Sequence, residues 1–170
     1  MGTFNYDLVK DPTYFNDNRV AAHSDHKYYA SVEAMEQDVD NFRHSLNGLW
    51  KFHYAKNYES TIPGFETPEY DCTKWDDIRV PAHIQMEGYD IPQYVNIQYP
   101  WDGREDVWRD AVPSEFNPVA SYVKYFTLPE GFRKNGLYIS FQGVEVQFKA
   151  GPFACFMRFC TVVKRSLCRI

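Results

Sequence analysis

The strand that decides the fold reads LNGLWKFHYA and occupies residues 46–55. In an extended chain successive side chains point to opposite faces, so Trp50, Phe52 and Tyr54 share one face while polar side chains share the other. This period of two predicts a half-buried β-strand with its aromatic face in a core.

Two further stretches have the composition of strands, SYVKYFTL at 121–128 and GLYISFQGV at 136–144. Both are enriched in valine, isoleucine, tyrosine and phenylalanine. The stretch PEGFRKN at 129–135 lies between them and predicts a hairpin turn. No segment of a dozen residues shows a strong helical period, so the sequence predicts an all-β fold built as an antiparallel sandwich.

The region before the first strand lacks the alternating pattern of a strand. Residues 1–45 are mostly polar and irregular, with one candidate helix at 32–42 and Ser31 as its N-cap. We therefore expect residues 1–45 to form an irregular N-terminal leader with a short helix, outside the core.

Neither a signal peptide nor a membrane span is predicted. Residues 1–12 contain no apolar run of signal-peptide length. The most apolar segment, 152–163, is too short to cross a bilayer and is interrupted by Arg158. The sequence favours a cytoplasmic protein without a membrane partner.

The composition describes a globular chain of about one domain. It has 170 residues, of which 44% are hydrophobic and 18% aromatic, and its formal net charge is −5. A net negative charge offers no basic field to a phosphate backbone, so nucleic acid is not an expected partner.

Charge and cysteine are distributed unevenly along the chain. All 23 acidic residues precede residue 146, whereas residues 146–170 carry only basic charges and three of the four cysteines. Cys72 is then the single cysteine of the body, which suits a reducing compartment rather than a disulfide framework. The cysteine spacing within 146–170 is not that of a zinc ribbon.

Two polar clusters have residue types that can carry chemistry. His23 and His26 are spaced as metal ligands, but no third ligand stands at a supporting distance, so a polar loop is favoured and no metal site is predicted. The stretch at 101–110 could supply a general acid and a base of the glycosidase type. Its carboxylates are Asp102, Glu105, Asp106 and Asp110. Loop carboxylates are usually solvated, so we assign no catalytic residue to this chain.

The most informative stretch reads VPAHIQMEGYDIPQYVNIQYPW and spans 80–101. It places Tyr94, Tyr99 and Trp101 beside the amide of Asn96 on a backbone bounded by prolines. Flat rings can lie against the C–H faces of a sugar, while an amide both donates to and accepts from neighbouring hydroxyls. The same residues also fit an aromatic core with loop anchors, and both interpretations stay open at this point.

Over residues 14–145 the chain resembles the N-terminal part of bacterial β-galactosidases of glycoside hydrolase family 2. The motifs that carry the resemblance are AHSDH (22–26), SLNGLWKFHYA (45–55), VPAHIQMEGYDIPQYVNIQYPWDG (80–103), FNPVASYVKYFTLPEGF (116–132) and ISFQGVE (139–145). The resemblance implies a galactose-binding-like jelly-roll β-sandwich, the family's sugar-binding domain. For the full-length enzyme it implies retaining hydrolysis of terminal non-reducing β-D-galactose residues, as in lactose.

The resemblance also assigns roles to residues of the 80–101 stretch. Asn96 stands where the family's Tyr-x-Asn-x-x-Tyr-Pro loop contacts the galactosyl group, and Tyr94, Tyr99 and Trp101 would support that loop. The family's two catalytic glutamates belong to a barrel without a counterpart here, so we expect the chain to be inactive alone. Mg and Na are expected for the full-length enzyme and no cofactor for this chain, and the parent enzyme is expected to be a homo-oligomer.

The resemblance ends after Glu145. The family's later landmarks, an Asn-Gly pair and a Ser-Glu-Phe-Asp-Leu stretch, do not occur in residues 146–170. We interpret 146–170 as an aberrant tail, with a shifted reading frame as the leading hypothesis and a genuinely divergent segment as the alternative. Residues 46–145 would then form a partial, incomplete jelly roll.

The expected function is that of a sugar-binding-domain fragment of a β-galactosidase. Its expected partners are a β-galactoside, bound weakly or not at all by the chain alone, and the remaining domains of the parent enzyme. An independent carbohydrate-binding module and a non-functional product of a broken gene are the alternatives.

Overall fold

A computed structural model shows how the chain folds. It describes residues 6–14, 20–21, 24, 26–40, 42–67, 69–91, 99, 102–108, 111–129, 132, 138–143, 148–150, 155–157 and 160–165. Strands dominate these residues, and their bounds are β1 Gly48–Ala55, β2 Asp76–Val80, β3 Val119–Phe126, β4 Phe148–Ala150, β5 Cys155–Met157 and β6 Cys160–Arg165. The helical elements are short: α1 at Val32–Glu36 and two 3-10 helices at Tyr6–Lys10 and Ile84–Glu87.

The main sheet has four strands in the order β2-β1-β3-β6. Strand β1 is antiparallel to both β2 and β3, whereas β3 and β6 run parallel. A separate antiparallel pair joins β4 and β5. The predicted all-β class is confirmed, although the sheet is mixed rather than wholly antiparallel; the jelly-roll arrangement stays a prediction.

One face of the sheet carries the aromatic core that the alternation in β1 predicts. Trp50 is 3% exposed and Phe52 is 1% exposed. Phe52 meets the ring of Tyr122 from the neighbouring strand, edge to face, with centroids 4.8 Å apart. Ile78 of β2 and Ile84 of the second 3-10 helix complete this cluster. Burial of these large side chains supplies the main hydrophobic stabilisation of this face.

The opposite face of the sheet is covered by the connection between β1 and β2. Phe65 and Cys72 from this connection are both 0% exposed and pack against Val119 and Val123 of β3. The ring of Trp75 lies 5.4 Å from that of Phe65. The connection between β1 and β2 therefore covers the second face of the sheet.

A polar pair lies on this second face, directly across β1 and β3. His53 and Ser121 are register partners in the antiparallel pair, so their side chains share a face. Their Nδ1 and Oγ atoms are the buried side-chain atoms without a hydrogen-bond partner in the described part of the chain. Burial lowers the pKa of His53 below its ordinary value of 6.5, and the charge of Asp76 partly opposes this. The imidazole is therefore held in its neutral form.

This arrangement predicts a loss of stability in mild acid that depends on His53. The unfolded chain takes up a proton near pH 6.5 and the folded chain only at lower pH. The stabilisation by the neutral ring is therefore complete above about pH 6.5 and declines as pH falls below it. Urea unfolding between pH 7.5 and 5.5 should show this slope, and His53→Gln should flatten it. The exposed His83→Gln is the control, and an equal slope in both variants would contradict the assignment.

The described residues of the leader lie outside both core clusters. Helix α1 begins after Ser31, whose hydroxyl accepts from the N–H of Ala34 at 3.2 Å, as predicted for an N-cap. The helix ends earlier than the predicted residue 42, because Asp38 adopts a positive φ of 51°. The Asp38 carboxylate accepts from Lys27 at 2.8 Å and from Tyr29 at 2.6 Å. None of the α1 residues is buried.

The predicted hairpin at 121–144 is wrong in its second arm. Residues 138–143 are the described part of that arm, and they do not form a strand. Strand β3 already pairs with β1 on one side and with β6 on the other, so no free edge of β3 is left for them. Tyr138 is accordingly 81% exposed.

The predicted boundaries at residues 45 and 145 stay predictions, as does the origin of residues 146–170, which contribute strands β4 to β6. Among the residues that the structure describes, no helix has both the length and the apolar character needed to cross a bilayer.

Candidate functional site

The candidate site is the segment that follows β2, residues 81–101, called the 81–101 loop below. Its first part is a 3-10 helix at Ile84–Glu87 that anchors the loop through buried Ile84. Gly88 ends this helix with a φ of 93°, a conformation that favours glycine. The N–H of Tyr89 then donates to the carbonyl of Ile84 at 3.0 Å. The turn directs the next side chain back onto the sheet.

Tyr89 fixes the start of the loop to the aromatic core. Its ring lies 4.5 Å from that of Phe52 and 6.4 Å from that of Tyr54. Its hydroxyl donates to Oδ2 of Asp76 at 2.8 Å. Burial, followed by this hydrogen bond, raises the pKa of Tyr89 to about 12. The phenol therefore stays protonated and keeps donating at any physiological pH.

The end of the loop is fixed by a reciprocal pair of hydrogen bonds. The N–H of Tyr99 donates to Oδ2 of Asp102 at 2.8 Å, and the N–H of Asp102 donates to the carbonyl of Tyr99 at 3.0 Å. Gly103 continues the turn with a φ of 76°. The guanidinium of Arg104 then lies 3.5 Å from the ring centroid of Phe116, a cation–π contact.

Glu105 braces the chain just after the loop. One carboxylate oxygen accepts from the N–H of Ser114 at 2.7 Å, and the other accepts from the N–H groups of Glu115 and Phe116 at 2.8 Å each. Partial desolvation would raise the pKa of Glu105, but the backbone donors outweigh it and hold the pKa below its ordinary value. The carboxylate is thus a structural acceptor.

The four carboxylates considered for acid and base chemistry are only partly described. Asp102 and Glu105 are occupied by backbone N–H groups, as described above. Asp106 is exposed, and Asp110 lies outside the described residues. The assignment of no catalytic residue stays a prediction for the chain as a whole.

Charged groups from both sides of the 81–101 loop act on the phenol of Tyr54. Burial, followed by the charge of Asp90, raises the pKa of Tyr54 to about 12, and the charge of Arg104 acts in the opposite direction. Both charges therefore act on one phenol, although they are fourteen positions apart in the sequence. Asp90 itself adopts a positive φ of 58°, and its carboxylate accepts from the N–H of Ile91 at 2.8 Å.

The sequence-predicted site residues are only partly described. Asn96, Tyr94 and Trp101 lie outside the described residues, so their predicted roles stay predictions. Tyr99 is described; its side chain is 65% exposed and its backbone is bonded to Asp102. This position suits a residue that supports the loop.

The histidine pair considered for metal binding is only partly described. His23 lies outside the described residues, and His26 is exposed and accepts a hydrogen bond from Arg43 through its carbonyl. The described residues contain no group of three or more His, Cys, Asp and Glu side chains placed to hold a metal ion.

Tyr89 and Glu105 anchor the loop, but sequence reasoning did not single out Tyr89 and considered Glu105 only as a candidate acid or base. Tyr89 follows a glycine that ends a helical turn, and this pairing was the available signal. The role of Glu105 depends on N–H groups about ten residues later, which no local pattern reveals.

Comparison with known proteins identifies the family. Residues 42–151, more than half of the chain, match the model of the glycosyl hydrolases family 2 sugar binding domain. The chain therefore belongs to glycoside hydrolase family 2 and corresponds to its sugar-binding domain.

The similar full-length proteins are β-galactosidases. The enzyme of Halalkalibacterium halodurans is 50% identical over 145 residues, which cover 85% of this chain and 14% of that enzyme. The enzyme of Streptococcus thermophilus is 47% identical over 136 residues, or 80% of this chain and 13% of the enzyme. The β-galactosidase large subunit of Latilactobacillus sakei is 36% identical over 153 residues, or 83% and 24%. The chain thus spans a small fraction of the length of these relatives.

Proposed function

We propose that this chain is the sugar-binding lobe of a β-galactosidase and that Asn96 hydrogen-bonds the galactosyl group of terminal β-galactosides. The observation that carries the proposal is the match to the family's sugar binding domain over residues 42–151, which runs through the entire 81–101 loop. The relatives that share this segment are named β-galactosidases.

The chemistry of the loop supports this role. A galactosyl group presents hydroxyls that both donate and accept, and a primary amide offers two donors and an acceptor to match them. The neighbouring Tyr94, Tyr99 and Trp101 offer flat apolar faces and support for the loop. Recognition also requires that the amide be held in place, which the anchored ends of the loop favour.

Hydrolysis needs groups that lie elsewhere in the larger enzyme. A retaining glycosidase uses two carboxyl groups about 5 Å apart, one as nucleophile and one as acid and base. Asp102 and Glu105 are already bound to backbone N–H groups, which leaves them unsuited to that chemistry. We infer that the chain alone binds a β-galactoside weakly or not at all and does not hydrolyse it.

The remaining assignments concern the parent enzyme. Mg and Na are proposed for the full-length enzyme, and no cofactor is proposed for this chain. A homo-oligomeric parent and a cytoplasmic location are proposed as well, the latter supported by the single cysteine, Cys72, before residue 146.

A chimera tests the proposed function. The part of this chain that aligns with the Halalkalibacterium halodurans enzyme, 50% identical over 145 residues, would replace the matching segment of that enzyme. We expect the chimera to hydrolyse a chromogenic β-galactoside, with the unaltered enzyme as the positive control and the purified chain alone showing no turnover. A folded but inactive chimera would refute the proposed role, and turnover by the chain alone would refute its dependence on other domains.

A further inference from the structure

The leader presents a concentration of large apolar side chains to solvent. Residues 26–40 and 42–43 are called the leader arm below. Its exposed apolar side chains, each between 45% and 66% exposed, are Tyr28, Val32, Met35, Val39 and Phe42. None of them belongs to either core cluster of the described residues or packs against one. A single exposed apolar residue is ordinary on a protein surface, whereas a concentration of them indicates an interaction site.

The leader arm has a defined local structure. At the end of α1 the N–H of Val39 donates to the carbonyl of Ala34 at 2.9 Å, and the N–H of Asp38 donates to that of Met35 at 3.1 Å. This pair of bonds is the Schellman type of helix end, and it fixes the chain beyond the helix. Within the helix Val32 and Met35 lie three positions apart, so their side chains project from the same side.

Polar contacts hold the start and the end of the leader arm together. The Asp38 carboxylate accepts from the ammonium of Lys27 at 2.8 Å and from the hydroxyl of Tyr29 at 2.6 Å. The guanidinium of Arg43 donates to the carbonyl of His26. These polar groups bind one another within the arm, while the apolar side chains face solvent. A segment that is already ordered loses less conformational entropy on docking than a flexible one.

The leader arm also occurs in a much larger enzyme. The alignment with the Halalkalibacterium halodurans enzyme covers 145 residues of this chain. Since the chain has 170 residues, a stretch of that length includes residues 26–145 wherever it begins, and so includes the whole leader arm. The aligned part is only 14% of that enzyme. A parent of such length has ample further protein that can cover the apolar side chains of the arm.

We propose that the exposed apolar side chains of the leader arm form a docking surface for the remaining domains of the parent enzyme. The surface that receives them is apolar, because removing large apolar side chains from water is favourable when they meet an apolar partner. The inference does not depend on sugar recognition. A second copy of this chain is the competing occupant, and the measurement below separates the two.

Oxidation of Met35 by hydrogen peroxide reports whether the surface is covered. Met35 is exposed, and oxidation of a thioether requires access of the oxidant. We expect Met35 of the purified chain to oxidise rapidly at every chain concentration, and Met35 of the chimeric enzyme to oxidise at least about fivefold more slowly, as measured by mass spectrometry of peptides. Equal rates in the chain and the chimera would overturn the inference. A rate that falls as the concentration of the chain alone rises would assign the surface to a second copy and would overturn it as well.

A charge placed on the surface supplies an independent measurement. Met35→Glu puts a carboxylate among the apolar side chains, and Gln37→Glu, its matched control, adds the same group at an exposed polar position of the same arm. In the chain alone we expect neither variant to move the urea midpoint, because both positions are exposed. In the chimera, Met35→Glu should lower the thermal midpoint by several degrees and Gln37→Glu by less than about one degree.

Equal shifts in the two variants of the chimera, or no shift for Met35→Glu, would refute the docking surface. Both measurements read burial and stability rather than hydrolysis of a galactoside. A chimera that folds but does not turn over its substrate would therefore refute the proposed function and leave the test of the leader arm intact.

Discussion

Replacing Asn96 with alanine in the chimeric enzyme should lower kcat/KM for a chromogenic β-galactoside by about 10- to 100-fold. This is the cost expected when an amide that bonds a buried sugar hydroxyl is removed, roughly 1.5 to 3 kcal/mol. The substitution removes both donors and the acceptor and leaves the backbone of the loop intact. Steady-state kinetics with the folded variant would measure the effect.

Asn47→Ala is the matched control for this prediction. Asn47 is an exposed amide just before β1 and outside the 81–101 loop. Its loss should change kcat/KM less than about twofold, in line with surface substitutions away from a site. Equal kinetics in the two alanine variants would show that Asn96 does not contact the substrate.

Phe52→Ala should be the most destabilising single substitution in the aromatic cluster. Phe52 is 1% exposed and sits between the rings of Tyr89 and Tyr122, at 4.5 and 4.8 Å. Removing such a ring leaves a cavity and costs about 3 to 5 kcal/mol. Because a whole domain is stable by only about 5 to 15 kcal/mol, the variant should be largely unfolded on mild heating. Urea or thermal unfolding followed by circular dichroism would measure this.

Phe42→Ala is the control, because it makes the same substitution at an exposed position. Phe42 is 51% exposed and lies in the leader, outside both core clusters. The same truncation there should change the free energy of unfolding by less than about 0.5 kcal/mol. A loss below about 1 kcal/mol for Phe52→Ala would mean that the aromatic face of β1 is not the centre of the core.

The local patterns in the sequence predicted local structure well. The alternation at 46–55 identified β1, observed at Gly48–Ala55, and it identified Trp50 and Phe52 as buried. Ser31 was correctly placed as an N-cap. These features depend on residues close together in the sequence, so a period of two or a capping side chain is enough to predict them.

Long-range pairing could not be predicted in the same way. Strand β2 pairs with β1 more than twenty residues away, a pairing that no local pattern in the sequence indicates. The segment at 136–144 has strand composition but does not form a strand over its described residues, because β1 and β6 already occupy both sides of β3. Composition indicates whether a segment has a high propensity for strand structure. Whether it forms a strand depends on whether a neighbouring strand has a free edge to pair with.

At the candidate site, too, local features could be predicted from the sequence and long-range contacts could not. The aromatic and amide composition of 80–101 identified the loop, and the structure places Tyr99 at one of its anchored ends. The anchors themselves, Tyr54 and Tyr89, come from two segments that the fold brings together. No spacing in the sequence relates these two tyrosines, so only the fold could show that their rings pack together.

Strand β2 forms one border of the four-stranded sheet. Asp76, Asp77 and Arg79 are exposed along it, and each is engaged by a side chain of the same fold: Tyr89, Lys51 and Glu87 respectively. Charged borders of this kind resist the addition of a foreign strand. We therefore expect that no further strand adds to the sheet along β2.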